Sequence, residues 1–386
     1  MVISPSNFPG TTGDSANYAE QLGSLRRQGL GVILVCPKSA GGENFDNDMT
    51  KIGITVVRVP VAPPRLHTIA KKGIGISAFL NLVSFYVAEI LILFGLVRSR
   101  RIRFCIMRHS ILTLPLAFIL RCLGIQTIAD GEILADSLHD AIRVPSYFLR
   151  LFRVVEKEIM RSYHLFRVTT QGQLEAMVGF GFREDQLVFA KVGVQISRVP
   201  YHDIKEIPPA TFGFFGTLEK WQGVDVLLRS FAKVLKNKKA AKLYIIGDGS
   251  MRNELVSIAE TLGITDNVIF CSPVPRDLLW ERYFRLFRVC VIPRPDLRIP
   301  VNPIKLAESL ASGKPVIATA VEGIRDNAGG GVILVTPRDE DVLARTILSL
   351  CDDSSLLPQM SEAALKFAQE FDIDTQTARI VRALVR

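Results

Sequence analysis

The chain has 386 residues, enough for two domains of ordinary size. Hydrophobic residues make up 48% and charged residues 22%, which excludes a disordered or polar low-complexity chain. Lys+Arg number 47 against Asp+Glu 38, and the resulting +9 favours anionic partners: nucleotide phosphates, nucleic acid or an acidic membrane face.

In chain order, Val2-Ile3-Ser4 reads as a first strand, and Gly10-Thr11-Thr12-Gly13-Asp14 as a loop. A helical pattern starts at Ser15, with Ala16, Ala19, Leu22 and Leu25 on one face, and Gly29 ends it. Val32-Ile33-Leu34-Val35 is then a buried strand, which completes a βαβ unit. Further strands are expected at Val56 to Val59, Phe104 to Met107, Gln126 to Ala129 and Arg167 to Thr170, with helical stretches between them. Continuous apolar strands alternating with helices indicate a parallel sheet covered on both faces. Ser197 to Pro209 is proline-rich and poor in large apolar residues, so it reads as a linker. The alternation then restarts. Strands are expected at Thr211 to Gly216, Lys242 to Gly247, Val268 to Phe270, Val289 to Ile292, Pro315 to Ala318 and Val332 to Val335, with a helix over Val224 to Leu235. The sum is two Rossmann-like domains in tandem, whose ligands should sit at the carboxyl ends of the strands.

Ile74 to Val97 is apolar apart from Ser77, Asn81, Ser84 and Glu89, and Arg98, Arg100, Arg101 and Arg103 follow it. Its length would cross a bilayer. The alternation needs a helix here, and Glu89 would be costly in hydrocarbon, so a helix packed on the sheet is the leading expectation. An interfacial helix or a span are the alternatives. Tyr147 to Arg167 carries Arg150, Arg153, Arg161 and Arg167 among apolar residues, and the two stretches together suit peripheral contact with an anionic membrane. Met1 to Pro9 has neither a basic start nor an apolar core, so no signal peptide is expected. The six cysteines form no CxxC and read as reduced residues of a cytosolic protein.

The chemistry concentrates in the segment Asn302 to Ala318: a loop, a helix, a glycine stop and a buried strand. A helix N-terminus there offers free N–H groups to phosphate. Glu308 could accept both hydroxyls of a ribose, and Lys305, one turn earlier on the same face, could meet phosphate.

With Phe215-Gly216-Thr217-Leu218-Glu219-Lys220-Trp221-Gln222-Gly223, with Ile246-Gly247-Asp248-Gly249-Ser250, and with Gly313-Lys314-Pro315-Val316 and Glu322-Gly323-Ile324 in the same order, the second half resembles the nucleotide-binding domain of retaining glycosyltransferases of family 4. The first half resembles that family's acceptor domain through Pro9-Gly10-Thr11-Thr12-Gly13, Arg108-His109 and Ala129-Asp130-Gly131-Glu132. The subset acting on cell-surface saccharide precursors looks similar in its Gln-Gly and its Pro-x-Lys-x-x-Glu loop. The resemblance implies an α/β fold of GT-B type, two Rossmann-like domains facing each other across a cleft. Residues 1–196 would bind acceptor, 197–209 would link, 210–374 would bind the donor, and a last helix from about residue 375 to 386 would pack back on the first domain.

Carried over position by position, Glu308 looks like the glutamate that holds the ribose. The loop Pro300 to Ile304, with Asn302 and Pro303, looks like the one that cups the donor sugar and phosphates. Gly216 looks like the glycine beside the diphosphate and Gly13 like its acceptor-side counterpart. Thr217, Gln222, Gly247, Arg294 and Lys305 complete the expected donor-binding set, and Arg108 and His109 the acceptor side. Asp130, Lys305 and Glu308 form the expected catalytic set. Asp130 would touch the sugar or act as base, with a structural turn role as its alternative. His109 would orient acceptor or cap a helix. Three departures stand out: Pro300 falls where the family often has a first glutamate, Thr217 where it has arginine and Gln222 where it has lysine. Lys305, Arg294 or Arg298 would have to supply the charge.

The activity implied is metal-independent transfer with retention, from a UDP- or GDP-type sugar to a lipid-linked saccharide or a surface polysaccharide. No cofactor is expected beyond that co-substrate, and no nucleic acid. The expected location is the cytoplasm, extending to the inner face of the cell membrane. A catalytically weakened nucleotide-sugar-binding protein and an NDP-sugar epimerase are the alternatives. Asp46-Asn47-Asp48 and Asp372-Ile373-Asp374 are set aside as metal-diphosphate motifs, the first in a Gly-rich loop and the second at a helix start. No dinucleotide fingerprint, P-loop or serine elbow is present. The tetrapeptide Leu-Phe-Arg-Val begins at Leu151, Leu165 and Leu286.

Overall fold

A computed structural model of the chain describes residues 1–4, 13–38, 42–61, 76–109, 113–131, 146–295, 304–352 and 355–385. Among these, every strand pairing is parallel. The chain divides into two units. The first comprises Met1–Thr169, Gln173–Ala190 and Gln376–Arg386; the second comprises Thr170–Gly172 and Lys191–Thr375.

The first unit carries β1 (Val2–Ile3), β2 (Val32–Pro37), β3 (Ile54–Val59), β4 (Phe104–Arg108), β5 (Gln126–Asp130), β6 (Leu165–Val168) and β7 (Leu187–Phe189). Their order is β3-β2-β1-β4-β5-β6-β7. The helices of this stretch are α1 (Gly13–Arg27), α2 (Gly42–Lys51), α3 (Ile76–Ser99), α4 (Leu114–Cys122), α5 (Ser146–Met160) and α6 (Gln171–Phe180). Strand side chains alternate between two cores, as the period of two requires. Ile3, Val35, Cys105, Met107 and Ala129 join α3, α4 and α5 on one face. Val2, Leu34, Cys36, Ile106 and Ile128 join α1 on the other.

The second unit carries β8 (Thr211–Phe215), β9 (Lys242–Ile246), β10 (Val268–Cys271), β11 (Val289–Ile292), β12 (Val316–Thr319) and β13 (Val332–Val335), in the order β10-β9-β8-β11-β12-β13. Its helices include α7 (Val224–Leu235), α8 (Arg252–Thr261), α9 (Ile304–Ala311), α10 (Glu340–Asp352) and α11 (Leu356–Ala368), and α12 (Ile373–Val385) ends the chain. In α7, Val224, Leu227, Leu228, Phe231 and Val234 are buried at the spacing of one helical face. Each such side chain contributes roughly 1.5–3 kcal/mol as an upper bound. The strand order reverses between β8 and β11, and in open parallel sheets ligands bind beyond the carboxyl ends of the strands at such a reversal.

The expected elements are nearly all present, with shifts of a residue or two. The strand expected at Arg167 to Thr170 is β6 and starts at Leu165. β7 is three residues long and escaped the sequence pattern. Residues 197–209 contribute to the second unit's cores through Val199 and Ile204. Ile380 and Leu384 of α12 pack in the first unit.

Lys314, at the entry to β12, is fully buried, and among the described residues its ammonium has no hydrogen-bond partner. Burial pushes its pKa down to about 7. The unfolded chain therefore binds the extra proton between that value and the ordinary lysine range near 10.4, and stability rises with pH across this window. Lys305, lowered to about 7 as well, adds a slope of the same sign. Urea unfolding of Lys314→Met as a function of pH should show a shallower rise than the parent chain; identical slopes would remove Lys314 from this account.

Candidate functional site

The second unit gathers its polar side chains at the carboxyl ends of β8, β9, β10 and β11. Two strand-end loops are zipped together: the Gly216 N–H donates to Ile246, and the Leu218 N–H to Asp248, at 2.9 Å each. This approach depends on two glycines. Gly247 has φ +145°, and a Cβ there would sit 1.9 Å from the Gly216 carbonyl oxygen. Gly216 has φ +128°, and a Cβ there would stand 3.0 Å from Lys305 Nζ.

Lys305 lies in the first turn of α9. The residue is half-buried, with its ammonium drawn in over the Phe214 ring, 4.3 Å from the centroid. Lys305 Nζ donates to Gln222 Oε1 at 2.8 Å, and Gln222 Nε2 donates to Thr217 Oγ1 at 3.2 Å. Burial first, then the positive charge of Arg294, lowers the Lys305 pKa to about 7. Arg294, just past β11, is buried and stacks its guanidinium on Trp221, 4.8 Å from the ring centroid. Thr319 Oγ1 fixes the Arg294 carbonyl at 2.6 Å.

Glu308 follows Lys305 by one turn and is 5% exposed. Its Oε1 accepts from Nε of Arg276. Arg276 opens a short helical segment, Arg276–Leu278, that runs into a π-helical turn, Leu279–Tyr283. π turns concentrate at functional sites. The Arg276 guanidinium lies 4.8 Å from the Trp280 ring centroid, and the buried Trp280 Nε1 has no hydrogen-bond partner among the described residues.

Gly216, Thr217, Gln222, Gly247 and Arg294 therefore lie past the strand ends of one sheet, and Lys305 and Glu308 lie on α9, which Ile304 opens. Asn302 and Pro303, like Pro300 and Arg298, lie outside the described residues. Arg276 was missed by sequence reasoning. The only signal for it was its place just after the β10 strand, and many loop arginines share that.

The residues expected from the first unit lie on its own elements. Gly13 is the first residue of α1, and Gly10, Thr11 and Thr12 lie outside the described residues. Asp130 ends β5 directly opposite Arg167 in the β5–β6 register. Its Oδ2 accepts from Arg167 Nη1 at 2.8 Å, and Arg167 Nε donates to the Ala190 carbonyl. That cross-strand ion pair ties β5 to β6. His109 is buried, with Nε2 3.0 Å from Glu156 Oε1 and Nδ1 3.4 Å from the Tyr163 hydroxyl. Both ring nitrogens thus have protein partners. Arg108 lies over the Tyr18 ring, 5.8 Å from its centroid.

The two Asp-x-Asp stretches are occupied locally, and the first lies on α2 instead of in a loop. Asp46 pairs with Arg58, Asp48 with Lys51, and Asp372 Oδ1 accepts from the Thr375 N–H. Among the described residues no three His, Cys, Asp or Glu side chains gather as a metal site would need. Cys122 is exposed while Cys36, Cys105 and Cys290 are buried, and all six are free.

Residues 209–353 match the family model described as Glycosyl transferases group 1. The D-inositol 3-phosphate glycosyltransferase of Streptomyces coelicolor is 32% identical over 178 residues, 43% of this chain and 38% of that protein. An uncharacterized glycosyltransferase of Methanocaldococcus jannaschii is 32% identical over 133 residues, 34% of this chain and 33% of that protein. The chain thus spans well under half the length of these curated relatives. Two solved structures cover the chain from end to end. Anabaena HepE, solved in complex with UDP and glucose, superposes with a TM-score of 0.73 at 14% identity, covering 100% of this chain and 99% of that one. Sucrose-phosphate synthase from Thermosynechococcus elongatus superposes with a TM-score of 0.77 at 17% identity, covering 100% and 98%. The fold of both units is therefore of GT-B type.

Removing one member of a buried ion pair strands the other charge, at a cost of about 3–5 kcal/mol. Arg276→Ala should lower the free energy of unfolding by that order, because Glu308 is left buried. A guanidinium titration with an unchanged midpoint would mean that the pair does not hold this loop.

Proposed function

We propose that this chain is a retaining glycosyltransferase that moves a sugar from a UDP- or GDP-type nucleotide sugar to a saccharide acceptor. The observation that carries this reading is the placement of Lys305 and Glu308, one helical turn apart, at the strand-order reversal beside Gly216. The family match over residues 209–353 supports the same class of chemistry.

On this reading Glu308 accepts the ribose hydroxyls, exchanging its bond to Arg276 for them. Gly216 and Gly247 allow the backbone to approach the diphosphate. As the bond to the anomeric carbon breaks, negative charge grows on the leaving diphosphate, and Lys305 and Arg294 bear it. Thr217 and Gln222 stand where the resemblance expected cations. Gln222 instead holds Lys305, so the helix supplies the charge that the loop lacks. The transfer needs no resident metal and no cofactor beyond the donor. The acceptor, assigned to the first unit, is a lipid-linked saccharide or a surface polysaccharide, and the protein works in the cytoplasm.

A weakened binder of the same fold and an epimerase predict different products. Transfer or slow hydrolysis yields nucleoside diphosphate; an epimerase yields an isomerised sugar; a pure binder yields neither.

Thermal unfolding with UDP, GDP and ADP tests the donor site, because a ligand that binds only the folded chain raises the midpoint. One nucleoside diphosphate should stabilise by about 2.7 kcal/mol at a hundredfold excess over its Kd, and Glu308→Ala should abolish the shift. A cooperative melt that no nucleotide moves would sink the proposal.

The titration of Lys305 adds a second test. A bound diphosphate raises its pKa from about 7, so the protonated form binds more tightly. Donor affinity should decline as pH rises from about 7 to about 9, and Lys305→Met should flatten that decline. Calorimetric titrations with equal slopes for both proteins would remove Lys305 from phosphate binding.

A further inference from the structure

α3 has two opposite stripes. Phe85, Glu89 and Leu93, four residues apart, are buried against the first sheet. On the other side Leu80, Val83, Val87, Leu91 and Phe94 are exposed, Leu91 at 67%, and Arg98 continues their line. The stripe runs about 27 Å. α4 adds Phe118, 63% exposed, and α5 adds Leu151, Val154 and Val155. The inner sides of all three helices join a single core on one face of the sheet, so their outer sides look the same way. Of the fifteen exposed large apolar side chains among the described residues, nine lie on these helices. A patch of this kind marks an interaction surface.

Charge identifies the partner. Arg98, Arg100, Arg101 and Arg103 are exposed at the end of α3, and Arg150, Arg153 and Arg161 are exposed on or just after α5. The acids of these helices are turned inward or paired. Glu89 is buried, which pushes its pKa up to about 8 and leaves it largely neutral at pH 7. Glu156 is buried against His109, and Glu158 pairs with Arg161 at 2.6 Å. The outer face is therefore apolar with a cationic rim.

We infer that the outer face of α3, α4 and α5 docks in the plane of an anionic lipid surface. Apolar side chains enter the headgroup–acyl boundary while the arginines meet lipid phosphates. The inward stripe of α3 keeps it on the sheet, so it lies along the bilayer and does not cross it. A second copy of the chain fits less well, because a self-complementary pairing through this face would oppose cationic rims. The inference goes beyond the transfer reading and does not rest on it, since its test contains neither nucleotide nor sugar.

Flotation of the full chain with phosphatidylcholine vesicles, and with vesicles also containing phosphatidylglycerol, tests it. Binding should be confined to the anionic vesicles and weaken with salt. Leu91→Ser with Phe94→Ser, and separately Arg100→Glu with Arg101→Glu, should each lower the partition coefficient about tenfold or more, with unchanged thermal unfolding. Leu334→Ser, an exposed apolar position in the second unit, should bind as the parent does. Binding to neither vesicle, or equal binding by all variants, would overturn the inference. So would a concentration-dependent dimer lost in the Leu91/Phe94 variant, which would give this face to a second copy.

Discussion

The ammonium of Lys305 sits where burial opposes its charge. A neutral amide, Gln222, and the face of Phe214 hold it, and the charge of Arg294 works against it. The carboxylate one turn along the same helix is turned to Arg276. A group so placed gains from any anion that enters, because the anion restores what desolvation removed. The rest of the second unit can be read as the means of holding that cation still. Two glycines bring the β8 and β9 loops together beside it, and Ser309 Oγ grips the Lys305 carbonyl. The same loop that lost the cations expected at Thr217 and Gln222 provides the acceptor that aims Lys305.

The first unit treats its polar groups in the opposite way. His109, Glu156 and Tyr163 close a buried set of hydrogen bonds, and Asp130 and Arg167 pair across neighbouring strands. Through Arg167, whose Nε also donates to the Ala190 carbonyl, Asp130 is tied to the strands beside it. These groups stiffen the strand ends of their own sheet.

α3 shows how one helix can answer two demands. Its hydrophobicity is nearly uniform along the sequence, yet only one side meets the sheet. The surplus apolar surface has no use inside the unit. Placing Glu89 on the inward stripe keeps the outer one free of acid.

The alternation of apolar strands and helices, and the glycines that end them, were legible in the sequence because both are local and periodic. So was the spacing of Lys305 and Glu308, which a helix converts directly into a shared face. The partners were not legible. Arg276 lies 32 residues from Glu308 and Arg167 lies 37 from Asp130, and only packing brings each pair together. The tetrapeptide Leu-Phe-Arg-Val makes the point within one chain. It is helical from Leu151, a strand from Leu165, and a loop entering β11 from Leu286. Four residues carry too little preference to resist their surroundings, so the buried surface available at each place decides their form. The sequence by itself determined the parallel-sheet architecture and the residue types at the strand ends. Tertiary structure alone decided which charge meets which, and which side of α3 faces outward, because both depend on contacts between residues far apart in the chain.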